Sequence, residues 1–383
     1  MILFKEEHHM VRQMVRDFAR KEIAPIAIEM DKEQKFPAGV FKKMAELNLL
    51  GLPFEEKYGG AGFDLISYTI ALEELARVCA STALSYSAHI SLAASPIDQF
   101  GTEEQKQKYL IPLAKGKKIG SFGLTEPTAG SDAGSTKTTA VRDGDHYVIN
   151  GSKMFITNAE VADIFVITAV TDKESQKRRV SNFIVERGMP GFEIGKKEDK
   201  CGMRASPTNM LHFNDCRVPA KNLLGSEGEG YKQFLTILDG GRIGIAAQAL
   251  GIAKEAMKRS VLYAQEREQF GKKIGEFQAI QFKIADMATN ISAAEEMIYH
   301  AAELKQKGQP YILQAGMAKL FATEMATEVA NQAIQIHGGY GYMREFEVER
   351  FWRDAKLLEI GEGTSEVQRL VIYREILKSI DKL

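Results

Sequence analysis

Residues 357–368 read LLEIGEGTSEVQ and set one acidic side chain, Glu362, between Gly361 and Gly363. Glycine strips side-chain cover from its neighbours and permits backbone angles that other residues resist. A carboxylate placed there can face a cavity and handle a proton, or it can face solvent from a plain loop; the residues alone leave both open. Ser365-x-x-Gln368 fits a capping box, which puts Glu362 just upstream of a helix N-terminus. The positive end of that helix favours the ionised carboxylate, whereas burial favours the neutral acid. Sequence does not rank the two.

A second stretch, LTEPTAGSD at 124–132, concentrates hydroxyls and flexible backbone in Thr125, Thr128, Gly130, Ser131 and Asp132. At the exit of a strand this suits hydrogen bonding to a flat polar ligand and its phosphates; the plainer reading is a polar turn with Ser131-Asp132 as a cap. Phe155-Ile156-Thr157 puts an aromatic and a hydroxyl on one face by period-two alternation. The glycine-rich places are YGGAGFD, GSEGEGY and HGGYGY. None follows a strand and opens a helix with G-x-G-x-x-G spacing, and G-x-x-x-x-G-K-[ST] is missing, so a bound nucleotide needs another cradle. Gly338 and Gly339 end a long helix before two tyrosines; they either leave backbone amides open to a docked group or serve as plain turn and helix-cap glycines, and the residues alone leave both open.

The elements that must position these residues fall into three blocks. Apolar positions Val11, Met14, Val15, Phe18 and Ile23 recur at helical spacing, and further helical stretches are predicted near 66–78 and 103–114. From residue 118 the texture changes to short β-branched and aromatic runs, with Asp143-Gly144-Asp145 as a hairpin turn. After Gly228 long helices are predicted at 229–265, 277–306, 310–336 and 365–380, enough for a four-helix bundle. The expectation is an α+β multidomain chain: an N-terminal helical domain over 1–117, a middle antiparallel β domain over 118–228 and a C-terminal bundle over 229–383. Segregated helices and strands argue against a doubly wound α/β fold.

The chain has 383 residues, 44% of them hydrophobic, and Lys+Arg 50 against Asp+Glu 51 gives a net charge of −1. Such a balance leaves no basic footprint for nucleic acid. Cys79, Cys201 and Cys216 lie far apart without metal-ligand spacing, as reduced cytosolic thiols do. The charged N-terminus is unlike a signal peptide, and no apolar run is long enough to span a bilayer. We expect a cytoplasmic protein without integral membrane contact and without a metal.

LTEPTAGSD, KMFITN, LDGGRIGIAAQALGIA, REQFGKKIGEFQ, QIHGGYGY and RDAKLLEIGEGTSEVQR occur in this order. Over essentially its whole length the chain resembles the acyl-CoA dehydrogenases, in their short-chain, butyryl-like branch. The resemblance implies an FAD flavoprotein that assembles as a homotetramer, oxidises an acyl-CoA to a trans-2-enoyl-CoA and passes electrons to electron-transferring flavoprotein. It makes Glu362 the base for the α-proton, with its backbone N–H as one donor to the thioester oxygen. One branch of the family carries its base at the position that here is Gly241, which glycine cannot serve.

Phe122, Leu124, Thr125, Gly130 and Ser131 are implied along the flavin, with Ser131 also near the substrate. Phe155, Ile156 and Thr157 match the shielding strand, and Thr364, Ser365 and Glu366 are implied contacts of the cofactor. Arg267, Phe270, Gln278, Gln335, Gly338 and Gly339 match positions that reach the FAD of a neighbouring subunit. Asp239, Arg242 and Gly363 are implied substrate contacts. Gly361 departs from an aromatic common there, which opens space for a branched, cyclic or longer acyl group; His337 stands where an apolar residue is usual and is expected to pack. Two alternatives remain: a related enzyme with oxidase or glutaryl-CoA-type chemistry, and a non-catalytic helical scaffold.

Overall fold

The computed structural model describes residues 4–175 and 179–378; residues 379–380, the end of the last predicted helix, lie outside them. Helix α1, Glu6–Phe18, buries Val11, Val15 and Phe18, the helical-spaced stripe of the sequence. Helix α2, Leu65–Val78, begins where the Asp64 carboxylate accepts the Ser67 N–H at 2.8 Å, and is buried on nearly every side. Helix α3, Ala80–Ser87, runs on into a π-helical turn over Ala88–Ala94. The 103–114 stretch is helical throughout, but its middle, Lys106–Leu110, is π-helical.

The middle block is one sheet of eight strands: β1 Gly120–Gly123, β2 Thr139–Asp143, β3 His146–Thr157, β4 Ile164–Val170, β5 Val180–Glu186, β6 Phe192–Lys197, β7 Thr208–Pro219 and β8 Leu223–Leu224. The order is β6-β7-β3-β2-β4-β5-β8, with β1 added against β4. Asp143 pairs with His146, so the predicted hairpin closes through Gly144-Asp145, Gly144 taking φ +60°. The sheet is antiparallel except at β4, which runs parallel to β1 over four residue pairs and meets β2 in parallel at Thr139 and Val170. A tight hairpin dictates opposite directions, whereas β1 and β4 are joined through the whole β2–β3 excursion, which leaves their relative direction free.

The C-terminal block holds α4 Gly230–Glu266, α5 Gln278–Gln306, α6 Ile312–His337, α7 Val348–Leu358 and α8 Ser365–Lys378. The four long predicted helices correspond to α4, α5, α6 and α8; α7 is a short addition. Helix α4 is the axis of the molecule, buried without interruption from Gly240 to Ala253. Its small residues let neighbours come close: a Cβ on Gly251 would stand 2.3 Å from the Glu73 carbonyl of α2. Glycine inside a helix costs roughly 1 kcal/mol against alanine, and here it sets the α2–α4 distance.

Four helices meet on one buried carboxylate. Glu73 accepts from Arg12 of α1 at 2.9 Å, Lys254 of α4 at 2.8 Å and the Tyr299 hydroxyl of α5 at 2.5 Å. Burial alone would raise its pKa, but Lys254 and Arg12 prevail and hold it down to about 2. A depressed carboxylate pKa contributes stability above the unfolded value, lost as pH falls from about 4.5 towards 2. Glu73→Gln leaves Arg12 paired with Glu74 at 3.1 Å and Lys254 with Glu295 at 2.7 Å, so we expect the loss of one set of charge-assisted hydrogen bonds, about 1.5–3 kcal/mol in urea unfolding of the holoprotein. A loss below about 1 kcal/mol would remove this cluster as the tie between the helices.

Candidate active site

Glu362 sits in the loop between α7 and α8, where the Leu357 carbonyl accepts both the Ile360 and Gly361 N–H groups and turns the chain sharply. Glu362 adopts φ +54° and Gly363 φ +94°, two successive left-handed residues. For a glutamate that conformation costs on the order of 1–3 kcal/mol, so its surroundings must hold it. The turn carries the side chain inward against α4. Its Oε2 is shielded from water and has no hydrogen-bond partner. A Cβ added to Gly241 would lie 2.1 Å from that oxygen and 3.5 Å from Ser91 Oγ. Gly241 is therefore the hollow in α4 that receives the carboxyl group.

Other groups look into the same space. Tyr68 of α2 and Ser87 at the end of α3 have buried hydroxyl oxygens with no partner. Ser87 Oγ lies 3.6 Å from a Cβ built on Gly244, one helical turn beyond Gly241. The glycines of α4 thus let Glu362, Leu72 of α2 and the serines of α3 and the π-helical turn come close to the helix, with unpartnered polar atoms among them.

Burial raises the Glu362 pKa to about 7, against the opposing charges of Lys319 and Arg242. Of the two effects that sequence left unranked, desolvation wins. The expected capping box is corrected: the Thr364 hydroxyl, not Ser365, accepts the Val367 N–H, at 3.3 Å. The wholly buried Gln368 donates at 3.3 and 3.0 Å to the carbonyls of Glu362 and Gly363 instead of reaching back to a cap N–H. Ser365 Oγ is left buried without a partner, and Glu366 is exposed. Helix α8 starts one residue after its cap, so the Ser-x-x-Gln spacing belonged to the loop's support.

Asp239 and Arg242, the implied substrate contacts, form an i,i+3 ion pair at 2.7 Å inside the protein: Arg242 is 5% exposed and its Nε has no partner. Lys319 of α6 is wholly buried and donates to the Gly363 carbonyl at 2.7 Å. Its pKa is lowered by burial to about 8.

On the sheet, Lys153 is buried and donates to the Glu126 carboxylate at 2.8 Å, the Leu124 carbonyl at 3.2 Å and the Thr168 hydroxyl at 3.0 Å. Glu126 also accepts from the Thr136 hydroxyl and the Thr138 N–H. This pair binds the 124–126 segment to β3, and the Met154 N–H adds a bond to the Thr125 carbonyl at 2.8 Å. Just beyond, the β3–β7 register slips and Phe155 takes φ +59°, its ring 59% exposed while Ile156 turns inward. Phe122 is buried in β1, Leu124, Thr125 and Thr157 are half-buried, and Gly130 and Ser131 are exposed. The Thr125 and Thr157 hydroxyls make no hydrogen bond among the described residues. A large exposed ring on strained backbone, flanked by uncommitted hydroxyls, suits a flat ligand laid across the sheet.

The remaining expected cofactor residues form a separate patch. Arg267 lies with its guanidinium 5.4 Å from the Tyr340 ring centroid, Phe270 is 94% exposed, and Gln278, Gln335, Gly338 and Gly339 are all exposed. Arg267 is 25 residues beyond Arg242 on α4, about 37 Å at 1.5 Å per residue. These residues and Glu362 cannot touch the same small group within one chain. His337 packs as expected, buried and stacked on Tyr263 at 4.3 Å. Sequence reading missed Tyr68, Ser87, Lys319, Gln368 and the Glu126–Lys153 pair. Lys319 left a trace, a single charge within the small, apolar run AGMAKLFA.

Comparison with known proteins bears on the whole chain. The acyl-CoA dehydrogenase N-terminal, middle and C-terminal domain signatures match residues 5–117, 121–216 and 228–377. A short-chain specific acyl-CoA dehydrogenase of Clostridium acetobutylicum is 54% identical over 97% of this chain and 98% of its own length. The butyryl-CoA dehydrogenase structure of Megasphaera elsdenii superposes with a TM-score of 0.96 at 46% identity, covering 98% of this chain and 100% of that one. An acyl-CoA dehydrogenase of Bacillus anthracis solved with FAD gives a TM-score of 0.94 at 36% identity, covering 99% of this chain and 68% of that one. With three consecutive domain signatures, a relative identical at half its residues and the architecture all in agreement, the chain belongs to the acyl-CoA dehydrogenase family.

Proposed function

We propose that this protein is an acyl-CoA dehydrogenase for short- or medium-chain acyl groups, with room for a branch, and with Glu362 as its base and FAD as its cofactor. The observation that carries the reading is Glu362 Oε2, shielded from water, without a hydrogen-bond partner and seated in the hollow at Gly241. A thioester α-C–H is a weak acid, and a carboxylate serves best as its base when its own pKa approaches the working pH; about 7 meets that need. The Glu362 backbone N–H has no acceptor among the described residues, and it would bind the thioester oxygen as negative charge gathers there. FAD supplies the acceptor for the hydride that leaves the β-carbon.

The Phe122–Ser131 segment and Phe155–Thr157 would hold that cofactor, with Thr125 and Thr157 as donors and Phe155 as its cover. Thr364, Ser365 and Glu366 would meet it from the α8 side. Ser131, Asp239, Arg242 and Gly363 would serve the acyl-CoA. A Cβ on Gly361 would meet only the Leu357 carbonyl, at 3.5 Å, so no side chain takes the room that an acyl branch needs. The Arg267–Gly339 patch, too far away to serve its own chain's Glu362, would complete the cofactor site of another copy, which requires a homo-oligomer such as a tetramer. We assign the domains to 1–117, 118–228 and 229–383, the compartment to the cytoplasm and the acceptor to electron-transferring flavoprotein. No described helix is long and apolar enough to cross a membrane.

The purified protein should be yellow, and short acyl-CoAs should bleach its visible absorbance under anaerobic conditions. Glu362→Gln should stay yellow and lose turnover by on the order of 10²–10⁴-fold with an artificial electron acceptor. A colourless protein that FAD cannot reconstitute, or unchanged turnover in the variant, sinks the proposal. Oxygen consumption or CO2 release during turnover would move it to the oxidase or glutaryl-CoA-type reading.

Because Glu362 must be ionised to act, kcat should rise with pH through a midpoint near 7. The sign for stability is opposite. A carboxyl whose folded pKa is raised favours the fold while protonated, and that benefit is lost as pH climbs from about 4.5 to about 7. Glu362→Gln should therefore melt higher than the parent at pH 8 and close to it at pH 5. Equal differences at both pH values would show that the carboxyl is hydrated.

A further inference from the structure

Burying an ammonium group costs several kcal/mol unless charge and hydrogen bonds compensate. Lys319 is fully buried among Ala315, Gly316, Ala318 and Ala322 of its own helix. It has three N–H donors, yet its one acceptor among the described residues is the Gly363 carbonyl, at 2.7 Å. No carboxylate oxygen comes within ion-pair distance of it in the described residues. The lysine therefore spends its hydrogen bond on the loop of the base and keeps its charge uncommitted.

The point of attachment matters. Glu362 and Gly363 are successive left-handed residues, and a strained turn persists only when outside contacts over-determine it. Two buried donors from two helices grip it: Lys319 of α6 on the Gly363 carbonyl, and Gln368 of α8 on the same carbonyl and on that of Glu362. A glutamine or a water could hold a carbonyl. Only a cation also answers a carboxylate, and Glu362 is the largest source of attraction on Lys319.

The groups facing Glu362 can be taken helix by helix. Tyr68 comes from α2 and Arg242 from α4, the latter paired with Asp239 at 2.7 Å. Lys319 comes from α6, with Glu324 further along it, and Glu359 from the end of α7; both acids act on Lys319. Gln368 of α8, Ser87 and Ser91 do not titrate. Arg242 has a carboxylate, Asp239, at 2.7 Å, whereas Lys319 has none within ion-pair distance among the described residues and acts on Glu362 more strongly than Arg242 does.

We infer that Lys319 is a positioning residue for the reaction: it clamps the Glu362–Gly363 turn through the Gly363 carbonyl and supplies the counter-charge that lets the base ionise where its Oε2 is shielded from water. The inference rests on Glu362 being the base.

Three variants of the FAD-loaded enzyme, assayed with butyryl-CoA or a branched analogue across pH 5.5–9.5, separate the two roles. Lys319→Gln keeps a donor and removes the charge; the kcat midpoint should move up by about one pH unit, lowering turnover at pH 6 about tenfold and recovering at high pH. Gln368→Leu removes the other donor and keeps the charge; the high-pH kcat should fall several-fold with the midpoint in place. Lys319→Met should show both effects, with KM little changed. A Lys319→Gln midpoint within about 0.3 of the parent overturns the counter-charge, and an unchanged plateau in Gln368→Leu overturns the clamp. If neither Lys319 variant retains FAD while Glu362→Gln does, the lysine is structural and the inference fails. Glu362→Gln run alongside keeps the questions apart: its retained turnover defeats the base itself, whereas its inactivity with an unmoved Lys319→Gln midpoint defeats only the role given to the lysine.

Discussion

A carboxyl group held out of water resists giving up its proton, and the arrangement of this molecule around residue 362 follows from making that tolerable. The Glu362 side chain enters a space that exists because α4 carries glycine at 241. Dry surroundings strengthen the acid as a base, and a cation nearby keeps it from becoming permanently neutral. Too much of either effect would stop the chemistry: an uncompensated burial would hold the proton fast, and a direct ion pair would leave a carboxylate with little basicity. The observed compromise is a lysine that bonds to the backbone beside the acid and not to the acid itself.

The helical frame serves this site by standing close and staying put. Helix α4 can lie against α2 because its contact residues are glycine and alanine, and the charges that cross the interface converge on Glu73. The sheet is arranged by a second buried pair, Glu126 with Lys153, which locks the 124–126 segment onto β3 just before the backbone kinks at Phe155. In both places an ion pair fixes relative position more than it adds net stability, since burying two charges consumes most of what their attraction returns.

Much of this was legible in the sequence because it depends on local pattern. Helical periodicity marked the long helices, alternation and turn residues marked the strands, and a lone acid between glycines marked the loop. What escaped depends on partners far apart in the chain. Lys319 and Gly363 are 44 positions apart, and Tyr68 reaches Glu362 only once two blocks have packed. The capping motif misled because Ser and Gln at that spacing fit two geometries, and the fold put the cap one residue earlier, on Thr364. The parallel strand escaped because no hairpin ties β1 to β4.

The close approach of Gly241 to the Glu362 carboxylate has an evolutionary corollary. Two stems, one on α4 and one on the loop, open onto a single volume that admits one acid. A side chain grown from residue 241 would occupy the place where the present carboxylate ends, so an ancestor carrying both would have had to turn one of them aside. Relocating the proton acceptor within this scaffold is then an exchange of two residues across one void, with the rest of the cleft free to stay as it was.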